Sequence, residues 1–425
     1  MKTAAGAVLS LSAISANAGI IIPAGDWTVD IGGNVNAYTN WYKADGVNTI
    51  TASGATVGAG KNTTNGFGNG LLPNFLSIGG TTRQNDLDVS FTISMQPGSS
   101  HKSALGVGSA NPNEGINNRQ AFITFGDKSW GSIKVGKDLG IFASDAILSD
   151  MTLLGVGAGT AGAGNTTLGR IGYGYIYADW KPQIAYTTPN FNGFQATVGI
   201  SQAFTATSIV ESHYDSGDTW TKWNDGSANA SPAYEGKASY SFAANDLTGK
   251  IWASGIAQKV GAWTHGSGQG YYNNDPIAYA GDIGAKVSAA GFDLVGYYYS
   301  GSGIGTTGQM LDGYGFNKNA STTMAARDSN GGYVQAMYTL PTKTRVGASW
   351  GISRLDAADG EITSGNACGS IALLQKENEM VTVGVYHPLT KHLNLVAEYS
   401  YITARNQIDQ ENKAYSGSLG AILFF

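Results

Sequence analysis

Leu87-Asp88-Val89-Ser90-Phe91-Thr92-Ile93-Ser94-Met95-Gln96 changes polarity at every step. Leu, Val, Phe, Ile and Met fall on one face of an extended chain, and Asp, Ser, Thr, Ser and Gln on the other. A period of two suits a β-strand, whose successive side chains point to opposite faces, and no helix. The same rhythm returns at 345–351, where Val346, Ala348 and Trp350 oppose Arg345, Gly347, Ser349 and Gly351. It returns again where Leu393, Leu395, Ala397, Tyr399 and Tyr401 oppose Asn394, Glu398 and Ser400. Alternation alone fits two architectures. In a soluble sandwich the apolar row is the core. In a membrane barrel that row meets lipid and the polar row lines water.

The breaks between the runs separate the two. Sixteen strands can be marked, at 27–44, 72–83, 87–97, 118–126, 132–142, 175–188, 194–204, 232–242, 249–260, 276–289, 292–302, 331–340, 344–355, 376–387, 393–405 and 413–425. Their connections alternate short and long. The 84–86 region, 127–131, 189–193, 245–248, 290–291, 341–343 and 388–391 are short. Segments 45–71, 98–117, 143–174, 205–231, 261–275, 303–330 and 356–375 are long. A sandwich gives no reason for that regularity, whereas an outer-membrane barrel has tight turns at one end and long loops at the other. The strands, mostly about 10–14 residues, exceed the usual five or six and match a tilted bilayer crossing. Lipid offers no hydrogen bonds, so the last strand must pair with the first. The prediction is an all-β chain forming a transmembrane antiparallel 16-stranded β-barrel.

Composition agrees. Glycine is 61 of 425 residues, about double the usual share. Charged residues are 13% and aromatics 11%. With only 10 prolines the chain is neither collagen-like nor a Pro-rich linker. Its aromatic and β-branched content excludes intrinsic disorder. No apolar run long enough for a membrane helix occurs beyond the N-terminus. Net charge is −5, which disfavours nucleic acid as a partner. The single cysteine, Cys368, cannot form an intramolecular disulfide, and of the five histidines only His387 and His392, flanking a turn, come close enough to suggest a ligand pair, so no metal and no cofactor are expected.

Met1 to Ala18, MKTAAGAVLSLSAISANA, reads as a secretory signal: a basic start, a short apolar stretch and an Ala-x-Ala junction. Residues 19–425 then form one barrel domain, with no linker dividing them. At the other end, Leu419, Ala421, Leu423 and Phe425 form an outward row that finishes on the last residue. Trp27, Trp41, Tyr42, Trp180, Tyr186, Trp350, Tyr386, Tyr399 and Tyr401 lie near strand ends and suit interfacial girdles.

Asn118-Arg119-Gln120-Ala121-Phe122-Ile123-Thr124-Phe125-Gly126, Trp130-Gly131-Ser132-Ile133-Lys134-Val135-Gly136-Lys137 and Ile184-Ala185-Tyr186-Thr187-Thr188-Pro189-Asn190-Phe191-Asn192-Gly193-Phe194, with the leader and Phe425, resemble the Gram-negative general porins, in particular the β-proteobacterial trimeric type. The order of a strand, a Phe-Gly-x-Trp-Gly-like turn, a strand, a long third loop and a Tyr-x-Thr-Pro-x-Phe-x-Gly-like turn is that of the family. Lys137 departs from it, where the family often has Arg, as does the longer, more apolar start at 19–26. The resemblance implies an outer-membrane location, a homotrimer, lipid and lipopolysaccharide as surroundings, and a terminal Phe425 that serves as the assembly signal.

It also implies that the third loop, about 143–174, folds into the barrel and narrows the pore. Ile141, Phe142, Ile147, Leu148, Met151 and Leu154 have helical spacing, with Asp145 and Asp150 on the polar side and Arg170 at the loop's end. Only an inward loop gives that apolar stripe a packing surface. Passive diffusion needs no catalytic group; pore width and fixed charge at the constriction set what passes. Asp145, Asp150 and Arg170 are the loop candidates, and Arg83, Arg119, Lys134 and Lys181 the wall candidates. A charge facing lipid costs about 2–4 kcal/mol at the midplane, so mid-strand charges should point inward. Lys134, between Ile133 and Val135, obeys this directly. Arg119 shares a face with Ala121, Ile123 and Phe125, which argues against an inward aim unless it sits at the rim. Bases clustered over strands two to six suggest a weak anion preference.

The expected function is passive diffusion of small hydrophilic solutes and ions through a water-filled channel. A substrate-selective channel is the alternative, with Tyr271, Tyr272 and Tyr297–Tyr299 as aromatics, although consecutive tyrosines alternate faces. An outer-membrane hydrolase would need a Ser/His/Asp-type cluster, and His213 near Glu211 and Asp215 is a weak match. An adhesin acting through 205–231 and 303–330 could coexist with a pore.

Overall fold

In the computed structural model of the protein, the described residues are 19–52, 54–97, 116–158, 166–204, 214–215, 218–219, 231–260, 263–264, 271–272, 276–316, 324–361 and 371–425. The leader read over 1–18, Cys368, and the side chains of the His213 cluster and of Tyr271 and Tyr272 lie outside this description.

Sixteen strands make the wall: β1 (Trp27–Gly46), β2 (Phe75–Gln84), β3 (Leu87–Pro97), β4 (Ile116–Asp127), β5 (Gly131–Leu139), β6 (Trp180–Thr187), β7 (Phe194–Ser201), β8 (Ala233–Ala244), β9 (Leu247–Lys259), β10 (Ile277–Ala289), β11 (Phe292–Ser302), β12 (Asp328–Thr339), β13 (Arg345–Leu355), β14 (Gln375–Pro388), β15 (Leu393–Asn406) and β16 (Glu411–Phe424). Each pairs antiparallel with its neighbours. β1 closes the ring on β16, with Asn34 opposite Phe424 and Asp45 opposite Lys413. Every strand of the ring is thus paired on both sides, which is the condition for spanning a bilayer. The outward rows are apolar and exposed, as Ile283 at 62% and Val198 at 58% illustrate. The tight turns include two-residue connections at Asn85-Asp86 and Ala290-Gly291, all four residues with positive φ, the geometry that matches strand twist in a hairpin.

Two segments pair with β1 in addition to its ring neighbours, and three short two-strand hairpins lie apart from the ring. Ile20–Ala24 folds back on the start of β1. Gly60–Gly68 pairs with the outer half of β1, while β2 pairs with its inner half. Between them 69–74 leaves the wall and turns inward. Asn36 holds this break, donating to the Leu72 carbonyl at 2.8 Å and accepting from the Gly70 N–H at 3.0 Å. Gly70 must be glycine, because a Cβ there would overlap the Gly155 carbonyl and the Tyr38 ring.

The girdle expectation needs one correction. Trp41, Tyr186, Trp350 and Tyr399 are exposed, but Tyr42 and Tyr386 are buried. Tyr42 follows the outward Trp41, so strand parity turns it into the barrel. Tyr386 donates to Glu398 inside it at 2.6 Å.

Candidate functional site

The chain between β5 and β6 enters the bore. It forms a short helix, α1 (Ser144–Ser149), and a 3₁₀ turn, Met151–Leu154. Its buried backbone groups need partners, and inward side chains of distant strands supply them. Glu235 on β8 accepts from the N–H groups of Ile141 at 2.9 Å and Phe142 at 2.8 Å. On β12, Tyr333 donates to the Ala146 carbonyl at 2.8 Å. Gln335 beside it accepts from the Met151 N–H at 2.7 Å and donates to the Ser149 carbonyl at 3.0 Å. Glu398 on β15 accepts from the N–H groups of Val156 and Gly157, both at 2.8 Å. Tyr38 on β1 donates to the Leu154 carbonyl at 2.6 Å. One segment can touch β8, β12, β15 and β1 only by crossing the interior.

Between α1 and the wall lies a polar cavity whose lining includes Lys134, Asp138, Asp145, Lys237 and Lys250, with Gln120, Gln183, Gln195, Thr197, Ser239 and Ser241 around them. Asp145 comes from the loop, and both its oxygens meet wall cations: Lys237 Nζ at 2.8 Å and Lys250 Nζ. Burial pushes the Asp145 carboxyl up, but the two ammonium groups outweigh it and hold it below the ordinary carboxylate value. Lys134 pairs with Asp138 four residues along β5. Three lysines against two aspartates leave this lane, as we call it, with one excess positive charge.

The residues singled out from the sequence divide into two groups. Asp145 and Lys134 line the lane. The others do not. Asp150 caps the 3₁₀ turn through the Thr152 N–H at 3.0 Å and accepts from the Tyr175 hydroxyl at 2.7 Å. Arg170 is fully buried on the far side of the bore. Lys181 is buried against Glu235 at 2.6 Å and Gln309 at 2.8 Å. Arg83 stands at the short-turn end, paired with Asp88 at 2.8 Å and Asp127 at 3.0 Å. Arg119 is buried, its guanidinium 4.1 Å from the Trp180 ring centroid. The pairing Ser94–Gln120 then Met95–Asn118 leaves Arg119 as an unpaired bulge residue, so simple alternation does not set its direction. Phe425 exchanges backbone hydrogen bonds with Gly33 at 2.8 and 3.1 Å across the seam.

The wall bases that meet the loop acid, Lys237 and Lys250, and the loop anchors Glu235 and Glu398 were not singled out. Their signal was available. All four are charges in strand interiors, and the cost of facing lipid points them inward wherever they occur, not only on strands two to six.

The comparisons with known proteins agree with this geometry. A family model for the Gram-negative porin matches residues 4–407. No curated protein matches the sequence. Among solved structures, the outer membrane channel DcaP of Acinetobacter baumannii is similar with a TM-score of 0.65 at 14% identity, covering 95% of this chain and 99% of that one. The anion-selective porin from Comamonas acidovorans gives 0.55 at 13% identity over 94% of this chain and 100% of that one. OmpF of Salmonella typhi, in complex with daunomycin, gives 0.56 at 13% over 96% and 100%. These structural likenesses speak for the fold, and the family match runs over nearly the whole sequence. The chain belongs to the Gram-negative porin family, outer-membrane barrels that form channels for passive diffusion of small hydrophilic solutes.

Proposed function

We propose that the channel weakly prefers anions and that Lys134, Lys237 and Lys250 set this preference against Asp138 and Asp145. The observation that carries it is the excess of one positive charge along the lane. Fixed charge beside a narrow aqueous path concentrates the opposite ion and discriminates without a tight binding site. The bases expected on strands two to six do not support this preference, since three of the four are engaged elsewhere. Two of the tyrosines offered for an aromatic track give that alternative no support. Tyr297 and Tyr299 are buried, and Tyr297 donates to Asp282 at 3.0 Å. Reversal potentials across a salt gradient test the proposal: anion preference is expected, and a clear cation preference would refute it.

The working unit is a homotrimer joined near the termini. Ile20, Ile21 and Ile22 stand exposed beside the β1–β16 seam, a run of apolar surface that suits contact with another copy. The surroundings are lipid on the apolar rows and lipopolysaccharide head groups above them. There the outward side chains become an ion-pair chain, with Arg354 on Glu377 at 2.8 Å, Arg405 on Glu377 at 2.8 Å and Arg405 on Glu411 at 2.7 Å. Conductance that rises in three equal steps is the expected signature of the trimer; single unequal steps would contradict it.

A further inference from the structure

The wall opposite the lane is packed. Around mid-height on β1 and β11–β15, the inward residues Tyr38, Tyr299, Tyr333, Ser349, Thr382 and Ser400, which would face water in an open bore, are buried. Phe142, Ala146, Tyr175 and Ile176 of the inward chain join Tyr38, Tyr299 and Tyr333 in one apolar cluster. Arg170 braces this side. It donates through Nη1 to Thr382 Oγ1 at 2.9 Å and the Ser349 carbonyl at 3.3 Å, and through Nη2 to the Met380 carbonyl at 3.1 Å. The Gly174 N–H donates to Ser353 Oγ at 2.9 Å. From the outer end the first loop closes over the same half. The Gln375 N–H donates to the Thr51 carbonyl at 2.9 Å, and the Ala55 N–H to Thr307 Oγ1 at 3.3 Å. A fully buried guanidinium whose two terminal nitrogens are bonded to three protein acceptors on two strands belongs to a packed interior, since water at its edge would compete for those bonds.

We propose that the bore is divided: solutes cross only along the off-axis lane beside β5–β9, and Arg170 is the positioning residue that holds the inner chain against β13 and β14, sealing the other half. This rests on the channel reading above and adds which part of the wall conducts. A barrel of this strand number would then conduct as a much narrower pore.

Single-cysteine variants of the full chain test this in a Cys368→Ser background. The protein is reconstituted in planar bilayers and in proteoliposomes, then treated with a negatively charged methanethiosulfonate. Ser239→Cys, in the lane, should react and lower the conductance. Ser349→Cys and Ser400→Cys, where the serines are 2% and 0% exposed, should react about tenfold more slowly or not at all, because a buried thiol is reached only through local opening. Their conductance should not change. Serine to cysteine exchanges one atom, so folding is preserved. Reaction of Ser349→Cys or Ser400→Cys as fast as Ser239→Cys, or no reaction of Ser239→Cys, overturns the proposal. If the unsubstituted protein does not conduct, the channel reading fails instead, and labelling rates read by mass spectrometry still report whether the interior is divided.

Discussion

Reversing one lane charge, Lys250→Glu, should turn the channel from anion-preferring to cation-preferring. The lane then holds two lysines against three acids in place of three against two. A unit charge about 4 Å from a permeant ion in water is worth about 1 kcal/mol. Reversal changes the interaction by roughly 2 kcal/mol, and screening at about 0.1 M salt leaves on the order of half of it. About 1 kcal/mol is roughly fivefold in the anion-to-cation permeability ratio. The assay is the zero-current potential across a tenfold salt gradient, read on single channels. Lys250→Gln should give about half the shift, and it avoids placing a second carboxylate against Asp145. Lys413→Glu is the control, because that side chain stands outside the barrel on β16, half exposed. An unchanged ratio in an open Lys250→Glu channel would refute the assignment, as would an equal shift from Lys413→Glu.

Four further outcomes follow from the same geometry. Glu398→Ala leaves the Val156 and Gly157 N–H groups and the Tyr386 hydroxyl without their acceptor, a cost of roughly 3 kcal/mol at about 1 kcal/mol each; a lower unfolding temperature and a noisier open channel are expected, and an unchanged trace would contradict the anchoring role. Gly155→Ala should behave alike, since a Cβ at that position overlaps the Glu398 carboxylate. Asp145 has a lowered folded-state pKa, so its pairing with the lysines is intact above the unfolded value and lost as pH falls through the folded one. Anion preference should therefore stay level from neutral pH to about 4 and strengthen below it; strengthening already at pH 6 would count against that ion pair. Phe425→Ser should lower the yield of heat-resistant barrel in the outer membrane, read as the unheated band on a gel, while a normal yield would remove the assembly role.

What could be read from the sequence was what lipid imposes. A wall wetted by hydrocarbon outside must alternate, and its charges must turn inward or sit at the ends. That rule located the strands within a few residues, and it put Lys134 on the polar row. It would have found Lys237, Lys250, Glu235 and Glu398 had it been applied beyond strand six. It misplaced Tyr42 and Tyr386 only because a girdle was read from residue type and not from parity. Arg119 was illegible because a bulge resets parity at one residue. The path of 166–179 and the break at 69–74 were illegible for another reason. Their backbone partners, such as Thr307 for the Tyr177 N–H, lie far away in the chain, and no local pattern announces such a partner. The inner face is also less uniformly polar than alternation suggests. Tyr299, Tyr333, Met337 and Val396 point in and are buried, because the chain that enters the bore gives them something dry to pack on.

The central claim is that neighbouring residues of one strand meet opposite solvents, and β7 offers the cleanest pair. Thr197 lines the lane, and Val198 is exposed on the outside. With Cys368 replaced by serine, a nitroxide is attached to Thr197→Cys or to Val198→Cys in lipid vesicles, and its collisions with dissolved oxygen and with a water-soluble nickel chelate are compared. The Val198 label should collide with oxygen and escape the chelate, and the Thr197 label should do the reverse. Equal access to the chelate at both positions, or the opposite order, would contradict the barrel as described.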